Sequence, residues 1–426
     1  MINSNRQLTA AAEKLGLIGL FLFAAAGLED FSLALTGYLL MAITACICFE
    51  RRTGGSSLSR PELWAAAFFT YILLRTGLAY SAAPDKLSSI AEWAGYYIAL
   101  SGFPALAVAL WLNGNRKLIA GVLFTTLAVL LLIILSYSGP ERVIEYLDGQ
   151  RALFGGLRNA TGLYMATAIL GIGIFTLSHL HSKHNGSRRY RAVLLAITAI
   201  VLLILSMAMI WHQNRTALFI SLTLVPVVIL LYERASTSRR NNTSGPKLFL
   251  LVMALFIVIA ASIASTSTIH DRIKDGFQNA LKAFDTDIAD LPKSPLSLRL
   301  RLWQTGLGSV RENPVFGSGP GSVSDLVRGD EWIAQYSHLH NLYLQLLVEL
   351  GIVGFMLFCL TVMALFRSAV IAYRSHQMQP DVFYFILGSL LLFLLTNLTQ
   401  VRIDGDHAVF YVTLLLALPM THAVSR

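Results

Sequence analysis

The sequence predicts an all-α integral membrane protein, a single membrane-embedded domain over residues 1–426 that crosses the bilayer about twelve times. Three observations support this prediction. Of the 426 residues, 55% are hydrophobic and only 13% are charged, whereas soluble domains carry about 25% charged residues. Apolar runs of spanning length recur along the chain. Many of the connections between them are rich in Lys and Arg, as is typical of cytoplasmic loops.

The apolar runs define the predicted helices, of which the first and last are short. We expect them near residues 15–28, 31–49, 62–80, 90–112, 118–137, 161–181, 192–211, 216–232, 247–265, 341–366, 382–398 and 408–423.

The one large connection, residues 266–340, joins the ninth and tenth predicted helices. Apolar residues at helical spacing near 273–284 predict an amphipathic helix in it. The run SLRLRLWQTGLGSVREN predicts a second helix that ends at Asn313-Pro314. We therefore expect an outer loop that contains helical segments.

The distribution of basic residues predicts the orientation. Lys and Arg collect in alternate connections, for example at 188–191 and 239–240, and are scarce in the opposite ones. The positive-inside rule then makes both termini cytoplasmic and residues 266–340 external. The net charge of +9 is explained in this way without a nucleic-acid partner. The three cysteines lie in apolar runs and offer neither a disulfide framework nor metal-ligand spacing.

Two histidines, His338 and His340, stand just before the tenth helix in YSHLHNLYLQLLVELGIVG. Histidine is the commonest general base because its pKa lies near neutrality. Interfacial histidines without a chemical task and metal ligands are the other interpretations, and the metal interpretation needs a third ligand. Asn341, Gln345 and Glu349 follow at a spacing of four, which puts them on one helix face. They either face a wet cavity or hold the helix to its neighbours.

Arginines supply positive charge on the same predicted side. Arg215 lies with His212 in the tight turn WHQNRTAL, and Arg299 and Arg301 lie in the outer loop. Arg75 interrupts the apolar third helix. The alternative interpretation of each of these arginines is an ordinary charge at the headgroup level or in solvent. The guanidinium fork suits phosphate, so the group as a whole points to an anionic ligand.

One hypothesis accounts for the histidines and the arginines together, namely a lipid-linked diphosphate substrate at the outer interface. Arginines would neutralise the charge that develops on the diphosphate leaving group. A histidine would take the proton of an attacking hydroxyl. A transporter is the alternative from another class, and it predicts mid-bilayer charges in two matching halves. The charges here gather at the outer edge instead, and no internal symmetry is visible.

Three stretches resemble the O-antigen ligases, within the wider O-antigen ligase and polymerase superfamily. SHLHNLYLQLLVELGIVG is similar to the superfamily signature HxHNxxLQxxxExGxxG. SLRLRLW followed by NPVFGSGPGSV is similar to its SxRxxxW and NPxxGxGxG stretch. NRTAL is similar to its arginine-bearing turn, although Asn214 and Thr216 replace the usual serine and glycine. These motifs cover about residues 210–220 and 295–355.

The resemblance implies an inverting glycosyltransferase of the bacterial inner membrane whose site faces the periplasm. It would move O-antigen from undecaprenyl diphosphate to the lipid A core, forming lipopolysaccharide, with no metal or other cofactor. Arg215 and Arg299, with Arg301 nearby, would bind the diphosphate, and His338, with His340 beside it, would be catalytic. An O-antigen polymerase and a protein O-oligosaccharyltransferase are the related alternatives.

Overall fold

The computed structural model describes residues 2–53, 60–147, 152, 154, 160–181, 187–212, 214–237 and 291–421. These residues are mostly helical and contain no strand, which confirms the predicted all-α class. The helices are α1 (Ile2–Ala26), α2 (Phe31–Thr53), α3 (Arg60–Ala82), α4 (Leu87–Leu100), α5 (Ala105–Leu112), α6 (Arg116–Ser136), α7 (Pro140–Leu147), α8 (Thr161–Leu180), α9 (Arg188–Trp211), α10 (Arg215–Thr237), α11 (Pro295–Glu312), α12 (Val323–Leu326), α13 (Leu342–Arg374), α14 (Pro380–Thr396) and α15 (Asp406–Met420).

The protein is a multi-pass membrane protein. Eight helical segments within the described ranges are long and apolar enough to span a bilayer, and α14 and α15 are shorter apolar helices. Large apolar side chains such as Phe124, Leu132 and Phe219 point away from the protein interior, as lipid-facing residues do. The count of twelve stays a prediction, because the helix expected at 247–265 and the amphipathic helix near 273–284 lie outside the described residues.

The fourth predicted helix, expected as one run over 90–112, consists of α4 and α5 with a turn between them. Gly102 in that turn has φ +76°, a left-handed conformation that glycine adopts without strain. Pro104 follows at the start of α5. The hydropathy of the segment is continuous, so the break comes from backbone chemistry rather than from polarity.

The described part of the outer loop is folded onto the beginning of α13. A small apolar core joins α11 and α12 to α13. Its buried residues are Leu302, Val323, Val327, Ile333, Leu339, Leu344 and Val348. This core fixes the segment that carries the two histidines against the first turns of α13.

A break in α13 at Gly351 receives the glycine-rich stretch NPVFGSG. Gly351 has φ +65° and ψ −172°, which interrupts the helical hydrogen bonds. The loop pairs with the freed groups through Ser318 N–H to Val348 O (2.7 Å), Gly319 N–H to Glu349 O (2.9 Å), Ile352 N–H to Pro314 O (2.9 Å) and Val353 N–H to Val315 O (3.2 Å). A side chain at Gly317 would lie 2.6 Å from the Glu349 backbone. The absence of a side chain at Gly317 therefore allows the backbone of the NPVFGSG stretch to approach α13 this closely.

Candidate functional site

The two histidines lie against each other at the start of α13. Their ring centroids are 4.3 Å apart with the planes nearly perpendicular. His340 has φ +52°, and its N–H donates to Nδ1 of His338 at 3.2 Å. The local turn thus brings both imidazoles into one site, as the sequence suggested.

The hydrogen bonds assign different tautomers to the two rings. Nδ1 of His338 is an acceptor, so its hydrogen is on Nε2, which lies 3.4 Å from Oδ2 of Asp404. Nδ1 of His340 lies 3.0 Å from the carbonyl oxygen Oε1 of Gln400, which only accepts. His340 therefore holds its hydrogen on Nδ1, and its Nε2 keeps a lone pair.

Both histidines are neutral at physiological pH. Burial lowers the pKa of His338 to about 4, and the Arg402 charge acts in the same direction. Burial also lowers the pKa of His340 to about 4, and the proximity of His338 and the charge of Arg299 act in the same direction. A neutral imidazole is the form that accepts a proton.

Arg402 and Asp404 complete the site, and sequence reasoning missed both. They lie in the turn between α14 and α15, where Asn397 Oδ1 accepts the Arg402 N–H at 2.7 Å. Arg402 is only 1% exposed, and Asp404 reaches His338. The signal was the run VRIDGDH in a short outer connection, because the positive-inside rule does not explain an arginine there.

The polar stripe of α13 positions the histidine segment. Asn341 caps the helix by accepting from the N–H groups two and three residues after it, at 3.0 and 3.1 Å. Gln345 accepts from the N–H of Leu339, between the two histidines, at 2.9 Å and donates to Glu349 at 2.8 Å. These hydrogen bonds favour the interpretation in which the polar stripe holds the histidine segment in place over the one in which it faces a wet cavity.

Glu349 ties three elements together. It is fully buried, and its carboxylate accepts from the Tyr97 hydroxyl of α4 at 2.8 Å. It also accepts from the backbone of Gly321 at 2.9 Å and of Val323 at 3.4 Å, both after the glycine-rich stretch. Because a buried carboxylate needs such donors, these contacts hold α4, α13 and the loop in one arrangement.

Arg299 and Arg301 have different surroundings. Residues two apart on a helix do not share a face, and both lie on α11. The guanidinium of Arg301 is 4.0 Å from the centre of the Trp332 ring and 3.5 Å from Asp330. Arg299 is close enough to His340 to lower its pKa. The structure therefore brings Arg299, rather than Arg301, to the histidine pair.

Residues 199–359 match a family model described as O-Antigen ligase. This match supports assignment of the chain to the O-antigen ligase and polymerase superfamily. None of the curated proteins compared with it matches. The matched segment contains Arg215, Arg299, both histidines and Glu349, whereas Arg402 lies beyond its end. The matched family implies lipid-linked glycan substrates, membrane lipids as surroundings and a glycosyltransferase-like activity.

The superfamily's arginine-bearing turn opens α10 beside the Arg402 turn. Arg215 is the first residue of α10, and its side chain lies outside what the structure describes. The next residue, Thr216, accepts a hydrogen bond from Thr399 at 3.0 Å. Thr399 directly precedes Gln400, which contacts His340. The turn thus places the Arg215 backbone next to the site.

Arg75 and His212 have structural contacts. Nη2 of Arg75 donates to the carbonyl oxygen of Gly317 at 2.9 Å, which fixes the glycine-rich stretch to α3. His212 is fully buried, and its Nδ1 lies 3.0 Å from the carbonyl oxygen of Ala152. Their supporting role is therefore to hold chain segments in place.

A metal site would need a third ligand near the histidines. Within the described ranges, no three His, Cys, Asp or Glu side chains are grouped as metal ligands.

Proposed function

We propose that the protein is an O-antigen ligase of the bacterial inner membrane. It transfers O-antigen from undecaprenyl diphosphate to the lipid A core on the periplasmic face, in an inverting, metal-independent reaction. Residues 1–426 form one membrane-embedded domain, and residues 266–340 face the periplasm. The observation that carries this proposal is the pair of contacting, neutral histidines at the start of α13, with Arg402 acting on His338 and Arg299 on His340.

The arginines serve the donor. Arg299 and Arg402 are close enough to act on the pKa values of the histidines, so an anion beside the histidines lies within their field. We expect Arg215, whose backbone begins α10, to add a further positive charge. Charge grows on the diphosphate as the glycosidic bond breaks, and fixed cations stabilise that charge most in a site with little water. For this reason we expect EDTA to leave the transfer rate unchanged.

His340 is the base that this geometry favours. Its Nε2 has the lone pair that a proton acceptor needs, and it is less buried than His338. His338 is engaged on both nitrogens, by the His340 backbone and by Asp404. His338 therefore acts as a positioning residue that holds His340 and links it to Asp404.

The proposed reaction requires one proton transfer, from the acceptor hydroxyl to the base. The acceptor hydroxyl oxygen attacks the anomeric carbon on the face opposite the diphosphate, and a new C–O bond forms. Its proton passes to Nε2 of His340, while the electron pair of the broken C–O bond leaves with the diphosphate. Attack from the opposite face inverts the anomeric centre. Bound diphosphate also raises the basicity of the imidazole, because an adjacent anion favours the protonated ring.

Purified protein supplied with lipid-linked glycan, with or without lipid A core, tests the function. We expect glycan on the lipid A core. Longer lipid-linked chains made without core would instead identify a polymerase and overturn the proposal.

A second measurement tests the role of His340. General-base catalysis contributes about 10²–10⁴-fold, so His340→Ala should lower the rate by that factor while donor binding persists. His179→Ala is the matched control, because His179 is exposed at the C-terminal end of α8. Full activity of His340→Ala would refute the assignment of the base.

A further inference from the structure

A cavity of about 900 Å³ lies directly beside the histidine pair. It is formed by the α1–α2 turn, α4, the end of α6 and the turn before α15. Ser337 and Asp404 belong to its lining, and they adjoin His338 in sequence and in space. Its volume is in the range of pockets that take a ligand the size of a short oligosaccharide, roughly 300–1,000 Å³.

The charge of this cavity is opposite to that of Arg299 and Arg402. Its lining carries the carboxylates of Glu29, Asp30, Glu92, Asp404 and Asp406, and the described lining residues include no Lys or Arg. A diphosphate would meet like charge here. The donor's anionic group therefore does not belong in this cavity, and the cavity suits a ligand without phosphate.

Aromatic side chains also lie in the lining among these carboxylates. Tyr137 is partly exposed, whereas Trp93, Tyr96 and Phe154 are buried behind the wall, and the Tyr96 hydroxyl donates to Glu92 at 2.8 Å. The negative face of an aromatic ring attracts the C–H face of a sugar. Carboxylate oxygens accept hydrogen bonds from hydroxyl groups. Rings and acceptors together match the two surfaces of a sugar ring.

We propose that this cavity binds the acceptor sugar and presents its hydroxyl to His340. The inference rests on the proposed function and adds a specificity to it: the end of the acceptor that enters is a neutral or amine-bearing sugar, not a phosphorylated one. Donor and acceptor are then distinguished by charge, since arginines near the histidines attract the diphosphate and the carboxylates of the cavity repel it. The lipid A core and a second lipid-linked glycan both offer such a sugar, and the experiment separates these two sources.

Charge reversal at the cavity wall tests the proposal. Glu29→Lys and Glu92→Lys change exposed side chains, so the fold is expected to tolerate them. Asp85→Lys is the matched control, because Asp85 is an exposed carboxylate near the start of α4 that does not line the cavity. Each variant is assayed with purified lipid-linked glycan as donor, and with either lipid A core or the same lipid-linked glycan as acceptor.

We expect the KM for the acceptor to rise about tenfold or more in both cavity variants, since hydrogen bonds to a charged group are strong. The KM for the donor and all constants of Asp85→Lys should stay within about twofold of the wild type. An unchanged acceptor KM in both variants, or a rise in the donor KM alone, would overturn the inference. Wild-type protein that lengthens lipid-linked glycan but ignores lipid A core would overturn the proposed function, and the second acceptor would still test the cavity.

Discussion

Replacing Gly351 by alanine should loosen the pairing between α13 and the glycine-rich stretch. The φ and ψ of +65° and −172° belong to a region that is essentially restricted to glycine, and holding another residue there costs about 1–3 kcal/mol. The new Cβ would also overlap the Val315 carbonyl oxygen and lie 2.6 Å from the Gly317 nitrogen. Overpacking of this kind costs about 1–3 kcal/mol more. We expect a local destabilisation of about 2–6 kcal/mol.

Amide hydrogen exchange in detergent-purified protein measures this effect locally. The N–H groups of Ser318 and Gly319 donate to carbonyls beside the break, so they should lose protection by about 30-fold or more. Gly77→Ala is the control: Gly77 is exposed within α3, and nothing lies within 4 Å of the position that an alanine Cβ would take there. This control should be neutral or slightly stabilising. Unchanged protection of both amides in Gly351→Ala would refute the reasoning.

Three further predictions concern the histidines, the arginines and the topology. The pKa of His338 falls from 6.5 to about 4 on folding, so the unfolded chain binds more protons than the folded protein between these pH values. The free energy of unfolding should therefore fall as the pH drops from 7 to 5, and it should fall by less in His338→Gln. An equal fall in both proteins would contradict the lowered pKa of His338. Arg299→Ala should weaken binding of undecaprenyl diphosphate about tenfold or more, whereas Arg301→Ala should mainly lower thermal stability; the opposite result would restore Arg301 as the diphosphate ligand. A cysteine at Ser294 should react with an impermeant reagent added outside spheroplasts, and one at Ser375 should not; the reverse pattern would invert the topology.

The helices were predicted well from the sequence because hydropathy shows which segments are apolar enough to enter lipid. It did not predict the turn between α4 and α5, since Gly102 and Pro104 change the backbone without changing the mean hydropathy. The break in α13 at Gly351 was not predicted either, because it shows in the backbone dihedral angles of Gly351 and not in the hydropathy of the segment.

Sequence reasoning grouped candidate site residues only where they share one stretch of chain. His338, His340 and Glu349 could be grouped because helical spacing and a short motif link them. Arg402 and Asp404 could not be grouped with the histidines, because they lie in a different turn of the chain. A single sequence contains no signal that pairs this turn with the histidine segment. Contacts between separate helices therefore decided the part of the site that sequence reasoning missed.

Three helices begin around the same turn, and this has a consequence for mutagenesis. α10 begins at Arg215, α13 at Leu342 and α15 at Asp406. Thr399 bonds the start of α10, and the carbonyl of Asn397 accepts the Leu342 N–H at 3.0 Å. Each helix start carries a partial positive charge of about half a unit from its aligned peptide dipoles. Part of the attraction for an anionic lipid headgroup is thus built into the main chain, and a variant stripped of its arginine side chains should retain a residual, salt-sensitive affinity for diphosphate.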